Sequence, residues 1–262
     1  MTRVSVTYEN HIAHVRLTRA DKMNAVDHDM IAAVIAAGEE VASSEARVCV
    51  LSGEGRAFCA GTDISAIGEM GARNPADGLM PRTHGNGTTN KFQEFALIWH
   101  RLPIPVIAAL HGPVFGAGCQ LALGADIRIA GPDTKMAVME ARWGLVPDMG
   151  GMVLLPKILR SDLLRRMTYT AEQLDADTAL SHGLVTEIAK DPLATALSLA
   201  ADIAAKSPSA MRAAKRLIEV AETQPEAEVL LAESREQADM LSGADHKEVV
   251  AAALEKRLPV FK

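Results

Sequence analysis

The sequence predicts an α/β fold closed by a helical tail, and three observations carry that expectation. Short apolar runs of strand length alternate with helix-period segments over roughly the first half of the chain. Glycine and proline punctuate the joins between them. From about Asp191 onward the pattern is helical only. Strand, helix, strand in repeated order is the signature of an α/β core with right-handed crossovers.

Taken in order, Val4–Thr7 and Ala13–Leu17 alternate polar and apolar residues, as a hairpin with its turn at Glu9-Asn10 requires. From Asp29 to Val41 the residues Met30, Val34, Ile35 and Val41 recur at helical spacing. Val48–Ser52 is an unbroken apolar strand closed by Gly53-Glu54-Gly55. Residues 68–90 hold five glycines and two prolines, the composition of a long loop of the kind that serves as a lid. Phe92, Phe95, Trp99 and Leu102 form one face of a helix that stops before Pro103. Pro105–Leu110 is a buried strand, Gly116–Leu123 opens a helix, and Ile127–Ala130 and Lys135–Met139 are short strands. In the tail, Leu193–Lys206, Ala210–Ala221 and Glu226–Leu241 are amphipathic, and Ser207-Pro208 is a cap residue followed by proline at the first helical position.

A chain of 262 residues can bury a full core as one large domain or two modest ones. With only 3% aromatic residues, that core must be built from Ala, Val, Ile, Leu and Met. The net charge of −6 argues against a nucleic-acid or anionic-membrane binder. The longest apolar stretch, near Ile104–Leu110, is too short to span a bilayer. The start of the chain alternates polar and apolar residues, unlike a signal peptide. Cys49, Cys59 and Cys119 lack metal-ligand spacing and cannot all pair. They read as buried small residues in a reducing compartment, and the expected location is cytoplasmic.

Two glycine-bearing turns stand out: Phe58-Cys59-Ala60-Gly61-Thr62-Asp63-Ile64 and His111-Gly112-Pro113-Val114-Phe115-Gly116-Ala117-Gly118-Cys119-Gln120. Each follows a predicted strand and leads into a helix, where the first N–H groups have no internal partner and the helix dipole favours negative charge. Each is also explicable as a tight turn that needs glycine for positive φ. The second reads G-x-x-x-G-x-G, not the G-x-G-x-x-G of dinucleotide sites. Facing each other, two such turns would make an oxyanion hole from main chain alone.

Residues 58–64 and 106–151 resemble the crotonase (enoyl-CoA hydratase/isomerase) superfamily, whose core signature here reads IPVIAALHGPVFGAGCQLALGADIRIAGPDTKMAVMEARWGLVPDMGG. The resemblance runs from Lys22-Met23-Asn24-Ala25 to the closing LEKRLPVF, and residues 66–90 match least. It implies a ββα spiral core over residues 1–190, carrying the CoA site and oxyanion hole. A helical oligomerisation region follows over 191–262, giving a homotrimer or a dimer of trimers. It implies that the N–H groups of Thr62 and Ala117 form the hole. CoA would lie along Met23 and Ala25 and along Ala60, Asp63, Ile64 and Ser65, with Lys256 or Arg257 reaching its phosphates. No metal or cofactor is implied, because CoA arrives within the thioester substrate.

Hydratases of this superfamily flank the reacting bond with two glutamates. Here the first position is Gln120 and the second Glu140. An amide neither gives nor takes a proton near neutral pH, so Gln120 can orient a group but cannot act as acid or base. Glu140 stands at the end of an apolar strand, with Met136, Val138 and Met139 before it and Trp143 after. Such surroundings raise a carboxyl pKa toward that of a general base. Asp148 is either the N-cap of a new helix or a second proton-transfer group. The Glu140–Asp148 spacing resembles dienoyl-CoA isomerases, although those carry aspartate where this chain has Gln120.

The expected activity is therefore double-bond isomerisation of an enoyl- or dienoyl-CoA, in fatty-acid-type metabolism, through an enolate held at Thr62 and Ala117. The alternative is hydration of a 2-enoyl-CoA with Glu140 as the single acid and base. A silent RNA-binding scaffold of the same fold is disfavoured by the acidic balance and by Glu140. His111 is expected to bond to backbone, His84 to be a loop residue, and Cys119 to be packing.

Overall fold

The computed structural model describes residues 2–65 and 74–261. Among the described residues, nine strands form two sheets. β1 (Val4–Glu9) and β2 (Ile12–Leu17) are an antiparallel hairpin at the edge of a six-stranded sheet ordered β1-β2-β3-β4-β6-β9. β3 (Val48–Gly53), β4 (Val106–Leu110), β6 (Ile127–Ala130) and β9 (Glu187–Ile188) follow in parallel. The smaller sheet is ordered β5-β7-β8, from Pro113–Phe115, Lys135–Ala137 and Leu174–Asp175.

The apolar runs of β3 and β4 lack alternation because both faces of the sheet are covered. Cys49 and Leu51 of β3 and Ala108 and Leu110 of β4 point into a core shared with the helices His28–Ala42, Lys91–His100 and Ala117–Leu123. Val48, Val50, Ile107 and Ala109 point the other way, onto the helix Pro192–Ala204. That helix presents Ala196, Ala200 and Ala204 at four-residue spacing, so its backbone lies close to the sheet. Side chains close the helix starts. Asp27 accepts from the Met30 N–H, Asn90 forms a capping box with Gln93, and Asp191 and Ser207 cap helices with proline in the first turn.

Several expected boundaries shift. The hairpin turn is Asn10-His11, both at positive φ, because Glu9 pairs with Ile12 and extends β1. β7 ends at Ala137, and Glu140 opens a 3-10 turn, Glu140–Trp143, instead of ending a strand. Three helices precede residue 191 that periodicity did not reveal: Gly151–Ile158, Ser161–Thr170 and Ala176–Ser181. Of the expected loop at 68–90, residues 68–73 lie outside the described residues. The rest contains a one-turn helix, Ala76–Leu79, and a tight turn at Gly85–Gly87.

Beyond residue 190, the first helix covers its own sheet, and three more helices follow, Pro208–Thr223, Glu226–Ser242 and Ala244–Glu255. The helix Glu226–Ser242 buries none of its residues, and Ile218, Leu230, Leu241 and Leu254 stand exposed. Lys215 Nζ ties the tail back to the core at the Ile104 carbonyl and Asp126. Among the described residues no helix is long and apolar enough to cross a membrane.

Candidate active site

The two glycine-bearing turns are stitched together by main chain. Cys59 bridges Val114 in parallel, the Cys59 N–H donates to the Pro113 carbonyl, and the Phe115 N–H donates to the Cys59 carbonyl. The second turn reaches its helix through β5, which the sequence reading had merged into the turn. The approach is as close as backbone allows. A methyl at Gly118 would stand 2.3 Å from the Cys59 carbonyl oxygen, and one at Gly61, where φ is +96°, would stand 2.8 Å from that of Phe115. Glycine at these two positions is therefore a requirement of turn-to-turn contact.

The segment before the helix His28–Ala42 braces the first turn from its other side. Val26 bridges Thr62 in parallel, its N–H donating to the Gly61 carbonyl while the Asp63 N–H donates to its own carbonyl. The Met23 carbonyl accepts from the Ala60 N–H. Asn24, fully buried at positive φ, sends its amide Nδ2 to the carbonyls of Glu54, Ala57 and Phe58. Thr62 thus lies on the first turn, bridged to Val26, and Ala117 opens the helix that follows the second turn. Among the described residues neither N–H has an acceptor.

Beside the second turn lies Glu140, with its Oε1 3.5 Å from where a Gly116 methyl would be. Gln120 Nε2 donates to that oxygen at 2.6 Å, and Gln120 Oε1 accepts from the N–H groups of Met149 and Gly151, each at 2.9 Å. These bonds fix the amide's orientation and show what it does. It braces Glu140 and satisfies the N-terminus of the helix Gly151–Ile158. That removes the capping account of Asp148, since the helix is capped at Gly150 and Asp148 bonds to none of its N–H groups.

Glu140 Oε2 is buried with no hydrogen-bond partner among the described residues. Burial pushes this carboxyl above the usual range, and the charge of Asp148 pushes it further, against opposing hydrogen bonds from its own N–H and Gln120. Asp148 is open to solvent on one side, yet the protein packed around its carboxyl also raises its pKa. Glu140, its pKa raised, therefore stands beside the second turn, and the charge of Asp148, whose pKa is also raised, reaches it. Such a site can hold an oxyanion and move a proton next to it.

A family model described as enoyl-CoA hydratase/isomerase matches residues 7–262. The chain belongs to that family. It shares the crotonase fold and is an enzyme of the enoyl-CoA hydratase/isomerase kind. It is 31% identical to the mitochondrial Delta(3,5)-Delta(2,4)-dienoyl-CoA isomerase of Mus musculus over 95% of this chain and 78% of that one. It is equally identical, at 31%, to the enoyl-CoA hydratase EchA19 of Mycobacterium tuberculosis, over 98% of this chain and 95% of the relative. The crystal structure of an enoyl-CoA hydratase from Polaromonas sp. JS666 superposes with a TM-score of 0.88 at 27% identity, covering 99% of both chains.

Within this family framework the remaining expected residues divide. Met23, Ala25 and Ala60 line the braced segment, whereas the Asp63 carboxylate is taken up by the hydroxyl and N–H of Ser65, which do most to hold it below its ordinary range, and by the Arg19 guanidinium. Ile64 is exposed beside it. Arg257, two residues past the helix Ala244–Glu255, is ion-paired with Glu248 and Glu255. His111 bonds to the Gly55 carbonyl, His84 to the neighbouring Thr83 hydroxyl, and Cys119 is buried with its thiol pushed up to about 12. Of the apolar residues that flank Glu140 in sequence, Met136 and Val138 are fully buried, whereas Trp143 is 48% exposed. Sequence reasoning missed Arg19 and the bracing role of Asn24. An asparagine after Met23 in a turn was the available signal, since asparagine tolerates positive φ and bonds to nearby backbone.

Proposed function

We propose that this enzyme moves a double bond along the acyl chain of an enoyl- or dienoyl-CoA. The thioester oxygen docks on the N–H groups of Thr62 and Ala117, which acidifies the neighbouring or vinylogous C–H. Glu140 or Asp148 removes that proton to give an extended enolate, and the same or the other carboxylic acid returns a proton farther along the chain. CoA enters as part of the substrate along Met23, Ala25 and Ala60, and no step calls for a metal or redox cofactor.

One observation carries this reading over hydration. The amide at the first hydratase position is held on both sides, by Glu140 and by two N–H groups, while the free second carboxyl is Asp148. Two acids in different surroundings suit proton removal at one carbon and delivery at another. Hydration of a 2-enoyl-CoA by Glu140 alone is the second reading, favoured by the near full-length similarity to EchA19.

A paired assay separates them. With a 3,5-dienoyl-CoA the isomerase reading expects a rise in conjugated 2,4-dienoyl absorbance. With a trans-2-enoyl-CoA it expects no loss of enone absorbance, and the reverse pattern would establish hydration instead. Asp148→Asn is expected to slow diene migration by about 10²-fold. Unchanged migration in that variant would assign both transfers to Glu140.

The exposed apolar residues of the three outer helices support a homotrimer or a dimer of trimers assembled through the region after residue 190. Three buried, unpaired thiols support a reducing, cytoplasmic setting, and fatty-acid-type metabolism is the context in which such thioesters arise.

A further inference from the structure

Outside the reacting groups, one charged cluster touches the oxyanion turn. Arg19 Nη1 lies 2.8 Å from Asp63 Oδ2, 2.8 Å from the Ala25 carbonyl and 3.4 Å from Asp27 Oδ2. Its side chain is 13% exposed and that of Asp63 is 16% exposed. Asp27 is itself anchored, with Oδ1 on the Met30 N–H at the start of the helix His28–Ala42 and Oδ2 paired with Arg3. The Arg19 main chain is fixed as well, because its N–H donates to the Asn24 side chain. One guanidinium thus joins a helix start, the 23–27 segment and the residue that follows Thr62.

The geometry points to Arg19 as a positioning residue for the Thr62 N–H. The peptide that ends at Thr62 is bounded by Gly61, packed against Phe115, and its successor Asp63 is held by Arg19. Bonds to Val26 hold the main chain of this strand-like segment along one edge. The ion pair adds a side-chain anchor at Asp63, the residue that follows Thr62. A largely buried pair is a weak source of stability, since desolvation offsets much of the attraction. Its value here is directional. A misplacement of about 1 Å at such a donor costs on the order of 10²-fold in rate.

This inference rests on the oxyanion-hole reading of Thr62 and Ala117, so the test must report on that hole directly. Acetoacetyl-CoA is a suitable probe, because its enolate has a near-ultraviolet absorbance and gains stability wherever an oxyanion is held. Wild-type enzyme is expected to lower the apparent pKa of the bound probe. Arg19→Met is expected to reverse at least tenfold of that stabilisation, to lower kcat by a similar factor and to change KM by less than about threefold. Arg19→Lys, which keeps the charge on a smaller donor, should fall between the two and decides the matter if Arg19→Met does not fold.

Wild-type enolate spectra and kcat in the folded Arg19 variants, with only a lowered melting temperature, would overturn the positioning role while leaving the hole intact. A wild-type enzyme that leaves the probe's pKa unchanged would overturn the hole itself, and the role of Arg19 with it.

Discussion

Glu140→Gln should lower kcat by about 10³-fold or more while leaving acyl-CoA affinity within a few-fold of wild type. The substitution keeps the shape and the acceptor oxygen facing Gln120 Nε2, so bracing of the site survives and only the proton-transfer capacity goes. Stopped-flow turnover together with calorimetric binding would check it. Matched losses in kcat and affinity would mean that Glu140 serves the architecture of the site.

The same variant carries a stability signature whose sign follows from the raised pKa. A carboxyl shifted upward from its ordinary 4.5 favours the fold fully below 4.5, where it is protonated in both states. That contribution is lost as pH rises through the shifted value, because the buried group must then ionise. Glu140→Gln should therefore melt higher than wild type at neutral and alkaline pH, with the difference shrinking toward pH 4. A catalytic group held at the expense of stability behaves this way.

Gly61→Ala is the second large effect. At φ +96° a side chain costs roughly 1–3 kcal/mol in backbone strain alone, and the new methyl would press on the Phe115 carbonyl at 2.8 Å. Both contacts are main chain, so relief requires the two turns to separate. Activity should fall by at least ~10²-fold along with the melting temperature. Gly183→Ala is the control. It also has positive φ, at +80°, but its methyl would meet nothing nearer than 3.7 Å, so stability should drop while kcat stays near wild type. Equal activity in the two variants would show that the approach of the turns is not what catalysis needs.

These effects separate what sequence could and could not reveal. The strands β3 and β4 were legible because burial on both faces leaves unbroken apolar runs. Helices with strong caps, such as those begun by Asp191 and Ser207, were legible for the same local reason. Two-residue strands and the helix Gly151–Ile158 were not, since their stability comes from contacts made at long range. The start of that helix is satisfied by Gln120, thirty-one residues earlier. Pattern alone suggested Asp148 as its cap, and only the three-dimensional arrangement frees that carboxyl for other work. Asp63 shows the converse. The family resemblance implies that it lines the CoA site, and its ion pair with Arg19, forty-four residues earlier, was not legible in the sequence.

The chain has two indoles in opposite surroundings. Trp99 is wholly enclosed, and Trp143 stands half in solvent three positions past Glu140. A collisional quencher such as acrylamide should extinguish the red-edge emission of Trp143 and spare the blue emission of Trp99. The surroundings of the turn Glu140–Trp143 could then be followed by fluorescence without any attached dye, and a Trp143→Phe variant, dark at the red edge, would identify the reporter.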